Sequence, residues 1–171
     1  MSLEQLSICA TFIATISALI IFKQWRKQKG SEVIANECKD GFKDILEMAK
    51  TISDIKNGFN LNSSLTIKEK IEKDIEKFES INLRVVRNLL FVDATIIESD
   101  LINYINEYNE SYMNVISIVK TKMKFYGIKN ECKIQEFYEK FLYSTRDITK
   151  IYKPYLLYQK TPKFRKKPKS A

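Results

Sequence analysis

The sequence predicts an all-α protein in which one N-terminal transmembrane helix precedes a cytoplasmic antiparallel bundle of three or four long helices. An uncharged, largely apolar run occupies residues 5–22, and apolar residues recur at steps of three and four through most of residues 31–153. Such steps are typical of helices that bury one face. No segment of convincing length alternates with the period of a strand. Residues 154–171 form a basic tail.

The run at residues 5–22 has the length of a transmembrane helix. It would measure about 27 Å, close to the ~30 Å hydrocarbon core of a bilayer. A buried helix of a soluble domain is one alternative, because eighteen residues are near the lower limit for a span. A cleaved signal peptide is the other, but it would carry positive charge before its apolar core. Here Glu4 precedes the run and the basic residues follow it.

The basic residues that follow the run predict its orientation. No Lys or Arg precedes it, so the positive-inside rule places the N-terminus outside and the bulk of the chain in the cytoplasm. Cys9, Cys38 and Cys132 show no CxxC spacing and fit reduced thiols. The predicted membrane-interface residues are Lys23, Trp25, Arg26, Lys27 and Lys29.

Small side chains recur along the predicted span. A stripe of small residues lets two helices approach closely in lipid, and hydroxyl groups can bond across the contact. Ala and Thr are also common in membrane helices that do not associate. The predicted self-association residues are Ala10, Ala14 and Ala18 with Thr11 and Thr15.

The first two bundle helices are predicted on either side of a turn at residues 57–64, which is rich in Asn, Gly and Ser. The first is expected from an N-cap at Ser31 to Lys56. A capping box at Thr66–Glu69 is expected to begin the second. The first helix presents Ile34, Cys38, Phe42, Ile45, Ala49 and Ile52 on one face. The seam of the second consists of Ile71, Ile75, Phe78, Asn82, Val85, Leu89, Val92 and Ile96.

Beyond Ile96 the apolar stripe changes phase. Either a turn or kink lies near residues 93–100, or one long helix shifts its contact face there. A last helix is expected from about Asn130 to Tyr152, ended by Pro154, and the tail after it is expected to be disordered. The new stripe consists of Ile97, Leu101, Ile105, Tyr108, Tyr112, Val115, Val119 and Met123.

The positive charge is concentrated in two places. The chain has 29 Lys and Arg against 21 Asp and Glu, but ten of the basic residues lie in residues 23–29 and 160–171. This pattern predicts docking of the tail to anionic lipid. Nucleic acid is a rival that would favour interleaved aromatic residues, and a solubilising terminus is a third reading. The tail residues are Lys160, Lys163, Arg165, Lys166, Lys167 and Lys169.

Two further features concern polar and aromatic side chains. Tyr104, Tyr108 and Tyr112 lie four residues apart on one helix face. They could contact a partner, since Tyr is common at interfaces, or pack within the bundle. Asn82 interrupts an apolar seam and could fix its register or lie partly exposed.

The composition argues against an enzyme. Without histidine the chain cannot form a Ser-His-Asp or Cys-His centre or a bundle site built on Glu-x-x-His. No Gly-rich phosphate loop occurs either. We therefore expect no catalytic residue, bound metal or cofactor.

The arrangement of the uncharged run, Phe22–Gln28 and then Ser31-Glu32 resembles that of small single-pass bacterial membrane proteins. The resemblance covers about thirty residues and implies a bacterial inner-membrane location. The expected function is a membrane-tethered, non-enzymatic helical module at the anionic cytoplasmic leaflet that assembles with itself or a protein partner. One alternative is a membrane-acting effector, a toxin or defence component that oligomerises and permeabilises the bilayer. Another is a nucleic-acid-binding module.

Overall fold

The computed structural model of the chain contains four α-helices. They are α1 (Leu3–Asn60), α2 (Leu65–Thr95), α3 (Leu101–Lys124) and α4 (Ile134–Leu156). The structure describes residues 3–61, 64–98, 100–126 and 134–165, with the side chains of these ranges except residues 3–14 and 134. The prediction of an all-α helical bundle is confirmed for this part of the chain.

α1 runs without a break from the N-terminal segment into the bundle. The expected helix start at Ser31 is wrong, since the Ser31 hydroxyl donates to the carbonyl of Lys27 at 3.0 Å, one turn earlier in the same helix. A glycine inside a helix costs only about 1 kcal/mol, so Gly30 does not end α1. The predicted anchor and bundle therefore share one helix.

α2 begins at a different cap from the one predicted. The side chain of Ser64 accepts a hydrogen bond from the Ile67 N–H at 3.2 Å, so Ser64 rather than Thr66 is the N-cap. The helix ends at Thr95 and α3 begins at Leu101, which establishes a turn rather than one long helix. All eight residues predicted for the α2 seam are buried.

α4 continues two residues past Pro154, which was expected to end it. Proline there removes one backbone donor but leaves its own carbonyl free to accept. That carbonyl accepts from the N–H groups of Gln159 and Lys160 at 2.8 and 3.1 Å. Tyr158, which directly precedes Gln159, adopts a φ of 54°, the left-handed conformation in which helices commonly end. The chain thus turns immediately after α4.

The helices pack antiparallel, with α1 against both α2 and α4 and α3 against α4. Arg84 of α2 meets Asp44 of α1, and Lys77 meets the later Glu47, so the two helices run in opposite directions. The backbones of α2 and α3 approach closely at few places. The stacked rings of Phe78 and Tyr112, with centroids 5.6 Å apart, help to fill that wider gap.

Two hydrogen-bonded Asn–Tyr pairs cross the core. The Tyr108 hydroxyl of α3 donates to Asn82 Oδ1 at 2.7 Å, and the Tyr152 hydroxyl of α4 donates to Asn88 Oδ1 at 2.6 Å. Asn88 Nδ2 in turn donates to the carbonyl of Glu37 at 2.8 Å. A buried polar group is costly unless it is paired, so these bonds favour one register of α2 against α1, α3 and α4.

We expect Tyr108→Phe to lower the free energy of unfolding by about 1–3 kcal/mol, because it leaves Asn82 Oδ1 buried without that donor. Urea unfolding followed by circular dichroism measures the loss. Tyr143→Phe, at an exposed tyrosine of α4, is the matched control. The double variant Asn82→Leu, Tyr108→Phe should lose less than the sum of its single variants. Strictly additive losses would show that the pair is not coupled.

Candidate functional site

The N-terminal half of α1 extends beyond the other three helices. α1 has 58 residues and a length of about 87 Å. The other helices have 31, 24 and 23 residues, or about 35–46 Å. The first buried side chain described on α1 is Ile34, and residues 15–29 are all exposed. The shorter helices therefore cover only the C-terminal half of α1.

The exposed part of α1 changes from apolar to basic within about one turn. The ring of Phe22 stacks on that of Trp25 with centroids 6.2 Å apart, and the Arg26 guanidinium lies 5.8 Å from the centre of the Phe22 ring. Including Phe22, a row of five large apolar side chains leads up to Trp25 and Arg26. They are Ile16, Leu19, Ile20, Ile21 and Phe22, all exposed.

No helix in the part of the chain that the structure describes has an apolar stretch long enough to cross a membrane. Of the predicted span at residues 5–22, the side chains of residues 5–14 lie outside that part. The same holds for Ala10, Thr11 and Ala14 of the small-residue stripe, whereas Ala18 is described and exposed.

Phe164 of the C-terminal segment packs against α1 at Gly30. A Cβ atom added to Gly30 would lie 2.6 Å from Cζ of the Phe164 ring. Real Cβ atoms do not approach that closely, so the ring can occupy this place only because residue 30 has no side chain. We call residues 23–30 the root of α1. The ring of Phe164 packs against the C-terminal end of the root, at Gly30.

Residues 159–165, which we call the strap, cross the turn between α2 and α3. The N–H of Ile97 donates to the carbonyl of Lys163 at 2.7 Å, and the N–H of Arg165 donates to the carbonyl of Thr95 at 3.0 Å. The expected disorder is therefore corrected for this part of the tail, whose backbone is paired with the turn. Residues 166–171 lie outside the described residues.

Two of the three basic side chains in the strap form ion pairs with the bundle. Lys160 Nζ lies 2.8 Å from both carboxylate oxygens of Glu98, which also accepts from the Tyr155 hydroxyl at 2.5 Å. Arg165 Nη2 lies 3.0 Å from Asp93. Burial raises the pKa of Glu98, but its bonds to Lys160 and Tyr155 outweigh burial and hold the pKa below its ordinary value.

Because of these ion pairs, fewer of the predicted basic residues carry a charge that is free to attract an external partner. Lys160 and Arg165 were expected on an anionic surface, but their charges are offset by acidic side chains of the chain itself. Lys163 is exposed, while Lys166, Lys167 and Lys169 lie outside the described residues. At the root of α1 the exposed basic side chains are Lys23, Arg26, Lys27 and Lys29.

The tyrosine face is largely part of the core. Tyr108 is fully buried, so it cannot contact a partner and its predicted role is corrected. Tyr104 and Tyr112 are partly buried and pack against the core. Asn82 is buried rather than partly exposed, in agreement with a register-fixing role.

Two surface clefts lie between pairs of helices. The cleft beside α3 and α4 has a volume of about 270 Å³ and is lined by Glu107, Glu110 and Asp147 among others. The cleft beside α1 and α2, of about 320 Å³, includes Asp44 and Arg84, which are paired at 2.9 Å. Within the described residues no three His, Cys, Asp or Glu side chains converge as a metal site.

Cys38 is a buried free thiol in the core. Burial and the neighbouring Glu37 carboxylate raise its pKa to about 12. The thiolate is the nucleophilic form of cysteine, so this group stays protonated and unreactive at physiological pH.

Sequence reasoning missed the residues that fasten the strap, which are Gly30, Phe164, Asp93 and Glu98. Phe164 carried one signal, because it is the single large apolar residue of an otherwise basic and polar tail. The partner of that ring could not be read from the sequence, because it lies more than 130 residues earlier in the chain.

No protein-family model matches this chain, and no curated protein or solved structure is significantly similar to it.

We expect Glu98→Gln to speed hydrogen exchange of the strap amides at pH 7, because the glutamine cannot pair with the Lys160 charge. Since the pKa of Glu98 is lowered, the carboxylate stabilises the strap above the ordinary carboxyl pKa and loses this effect as pH falls through its own pKa. Wild-type protection should therefore fall toward that of the variant at acidic pH.

The readout is exchange measured by mass spectrometry and corrected for intrinsic rates. Glu107→Gln, at an exposed glutamate of α3, is the control and should leave the strap unchanged. Equal protection in Glu98→Gln and wild type at pH 7 would rule out this ion pair as a fastening of the strap.

Proposed function

We propose that this protein is a membrane-tethered, non-enzymatic helical assembly module. The N-terminal half of α1 lies in a bacterial inner membrane and the bundle stands at the cytoplasmic face. The observation that carries the proposal is the unbroken α1, whose exposed apolar side chains lead through Trp25 and Arg26 directly into the bundle. An apolar segment followed by aromatic and basic residues matches the hydrocarbon and interfacial layers of a bilayer in order.

The distances along α1 support this placement. From Phe22 to Gly30 the helix rises about 12 Å, and the headgroup layer of one leaflet is about 5–7 Å thick. With Phe22 at the edge of the hydrocarbon, Trp25 and Arg26 lie at headgroup depth. The end of the bundle, where Phe164 meets Gly30, stands within about one Debye length of the surface.

The assembly part of the proposal rests on two exposed leucines of α2 and on the sequence of α1. Leu83 and Leu90 of α2 are exposed, seven residues apart on one face, and the sequence of α1 contains the small-residue stripe. Because α1 is one helix, a contact made by the stripe also fixes how the bundle is turned about the helix axis. The partner we propose is a second copy of the chain or another membrane protein.

The tether is tested by placing charges on α1. We expect Ile16→Asp with Ile20→Asp to release the full chain from bacterial membranes, because an aspartate costs up to about 2.5–3.5 kcal/mol at the centre of a bilayer and less near its edge. Wild type should stay in the membrane fraction after an alkaline carbonate wash. Leu83→Asp with Leu90→Asp is the matched control, since these leucines are 72 % and 52 % exposed against 47 % and 53 % for the isoleucines.

The control variant should remain membrane-bound. Release of wild type by carbonate, or equal retention of both double variants, would contradict the tether.

Self-association is tested by Ala10→Leu, Ala14→Leu, Ala18→Leu in the full chain. Leucines keep the segment apolar but prevent close helix approach, so the detergent-solubilised protein should shift to a smaller species in sedimentation. An oligomer of unchanged size would show that the stripe does not mediate self-association. Leakage of a trapped dye caused by wild type but not by the triple variant would instead support the membrane-permeabilising effector.

A further inference from the structure

We propose that the root of α1 and the strap form one composite binding site for anionic phospholipid headgroups, assembled when Phe164 is seated on Gly30. The inference deepens the proposed membrane tether and rests on it. The sequence places the two basic segments more than 130 residues apart, whereas the structure brings them into contact.

The root contributes one basic face of α1. Lys23, Arg26 and Lys27 precede Gly30 by seven, four and three residues, so they share its side of the helix. Their side chains lean toward the N-terminus of α1, as helical side chains do, and hence toward the proposed membrane. Lys29 lies off this face and pairs with Glu32 at 2.9 Å.

The described strap contributes one basic side chain to the site. Lys160 and Arg165 are offset by Glu98 and Asp93, so the surplus charge of the described strap is that of Lys163. This lysine precedes Phe164 directly, and its carbonyl is held by the Ile97 N–H. The N–H of Arg165 is bonded to the carbonyl of Thr95, which fixes the other end of this segment.

The site lies at the end of the bundle that faces the proposed membrane. Gly41 of α1 lies level with Asn88 of α2, since a Cβ on Gly41 would collide with the Asn88 side chain. From that level α1 rises about 16 Å to Gly30, and α2 rises about 12 Å to Ile96. Both directions lead toward the exposed apolar half of α1.

The surroundings favour lipid over nucleic acid as the anionic partner. The basic face adjoins the stacked rings of Phe22 and Trp25, and exposed aliphatic side chains continue beyond them. An anionic leaflet offers phosphate groups and an apolar interior side by side, whereas a nucleic acid offers the phosphates without that interior. The chemistry recognised is therefore that of a phospholipid headgroup at a bilayer surface.

Trp25 provides the readout, because it is the sole tryptophan of the chain and lies in the root. The full chain is reconstituted in mixed bilayers in which either phosphatidylglycerol or phosphatidylcholine is brominated. The ratio of Trp25 quenching by the two lipids reports their relative binding near the root. We expect wild type to favour the anionic lipid by about three-fold or more, with the preference falling at high salt.

Three variants separate the composite site from the root alone. Phe164→Ala removes the seated ring, Gly30→Ala displaces it with a single methyl group, and Lys163→Gln removes a strap charge. Each should lower the preference at least two-fold with helix content unchanged by circular dichroism. Phe125→Ala is the matched control, because Phe125 is an exposed phenylalanine at the opposite end of the bundle.

The outcomes distinguish this inference from the function on which it rests. Trp25 quenched by both lipids, with the same preference in wild type and in the three variants, would overturn the composite site and leave the tether. A wild type with no anionic preference would do the same. Trp25 quenched by neither brominated lipid would overturn the tether and the composite site together.

Discussion

The length of α1 is the constraint on which the rest of the structure depends. The helix α1 measures about 87 Å, whereas α2 has slightly more than half of its residues and α3 and α4 have about two fifths. Its C-terminal half supplies one wall of the core, and its N-terminal half keeps a row of apolar side chains on the surface. Because no turn separates the halves, whatever binds the exposed half also holds the bundle in a defined orientation.

The buried polar pairs also fix the position of the C-terminal segment relative to α1. The bond between Tyr152 and Asn88 sets the height of α4 along α1 and α2. The position of α4 along its neighbours determines where its C-terminal end lies, and therefore the position from which the strap begins after the turn at Tyr158. The strap can then pair with the α2–α3 turn and place Phe164 on Gly30. A shift of α4 by one turn, about 5.4 Å, would break these contacts.

The helices and most of the core could be predicted from the sequence because their signals are local. The steps of three and four along α2 identified eight seam residues that are all buried. The inward Tyr108 was harder to place, because an amphipathic tyrosine suits a core bond and an interface equally well. The Ser64 cap was missed because Thr66 and Glu69 fit the capping-box pattern as written.

The strap could not be predicted, since it depends on pairs that are distant in sequence. From the sequence alone, Arg165 and Lys160 are expected to be unpaired. Their acidic partners in the structure, Asp93 and Glu98, lie 72 and 62 residues earlier in the chain. A basic tail of this composition is normally disordered, and only the packed turn of α2 and α3 supplies partners for its backbone. Gly30 gave a misleading local signal, because glycine is common at helix boundaries but here provides space for a ring.

The most direct test of the central claim is a spin-label scan of residues 16–33, one position at a time, in the full chain reconstituted in a bilayer. Accessibility to oxygen and to a polar nickel reagent is measured at each position, with Cys9, Cys38 and Cys132 replaced by alanine. We expect residues 16–22 to be accessible to oxygen and shielded from nickel. From residue 27 this pattern should reverse, with an unbroken period of about 3.6 residues through Gly30. Nickel accessibility at residues 16–22, or a break in the period between residues 27 and 31, would contradict the account.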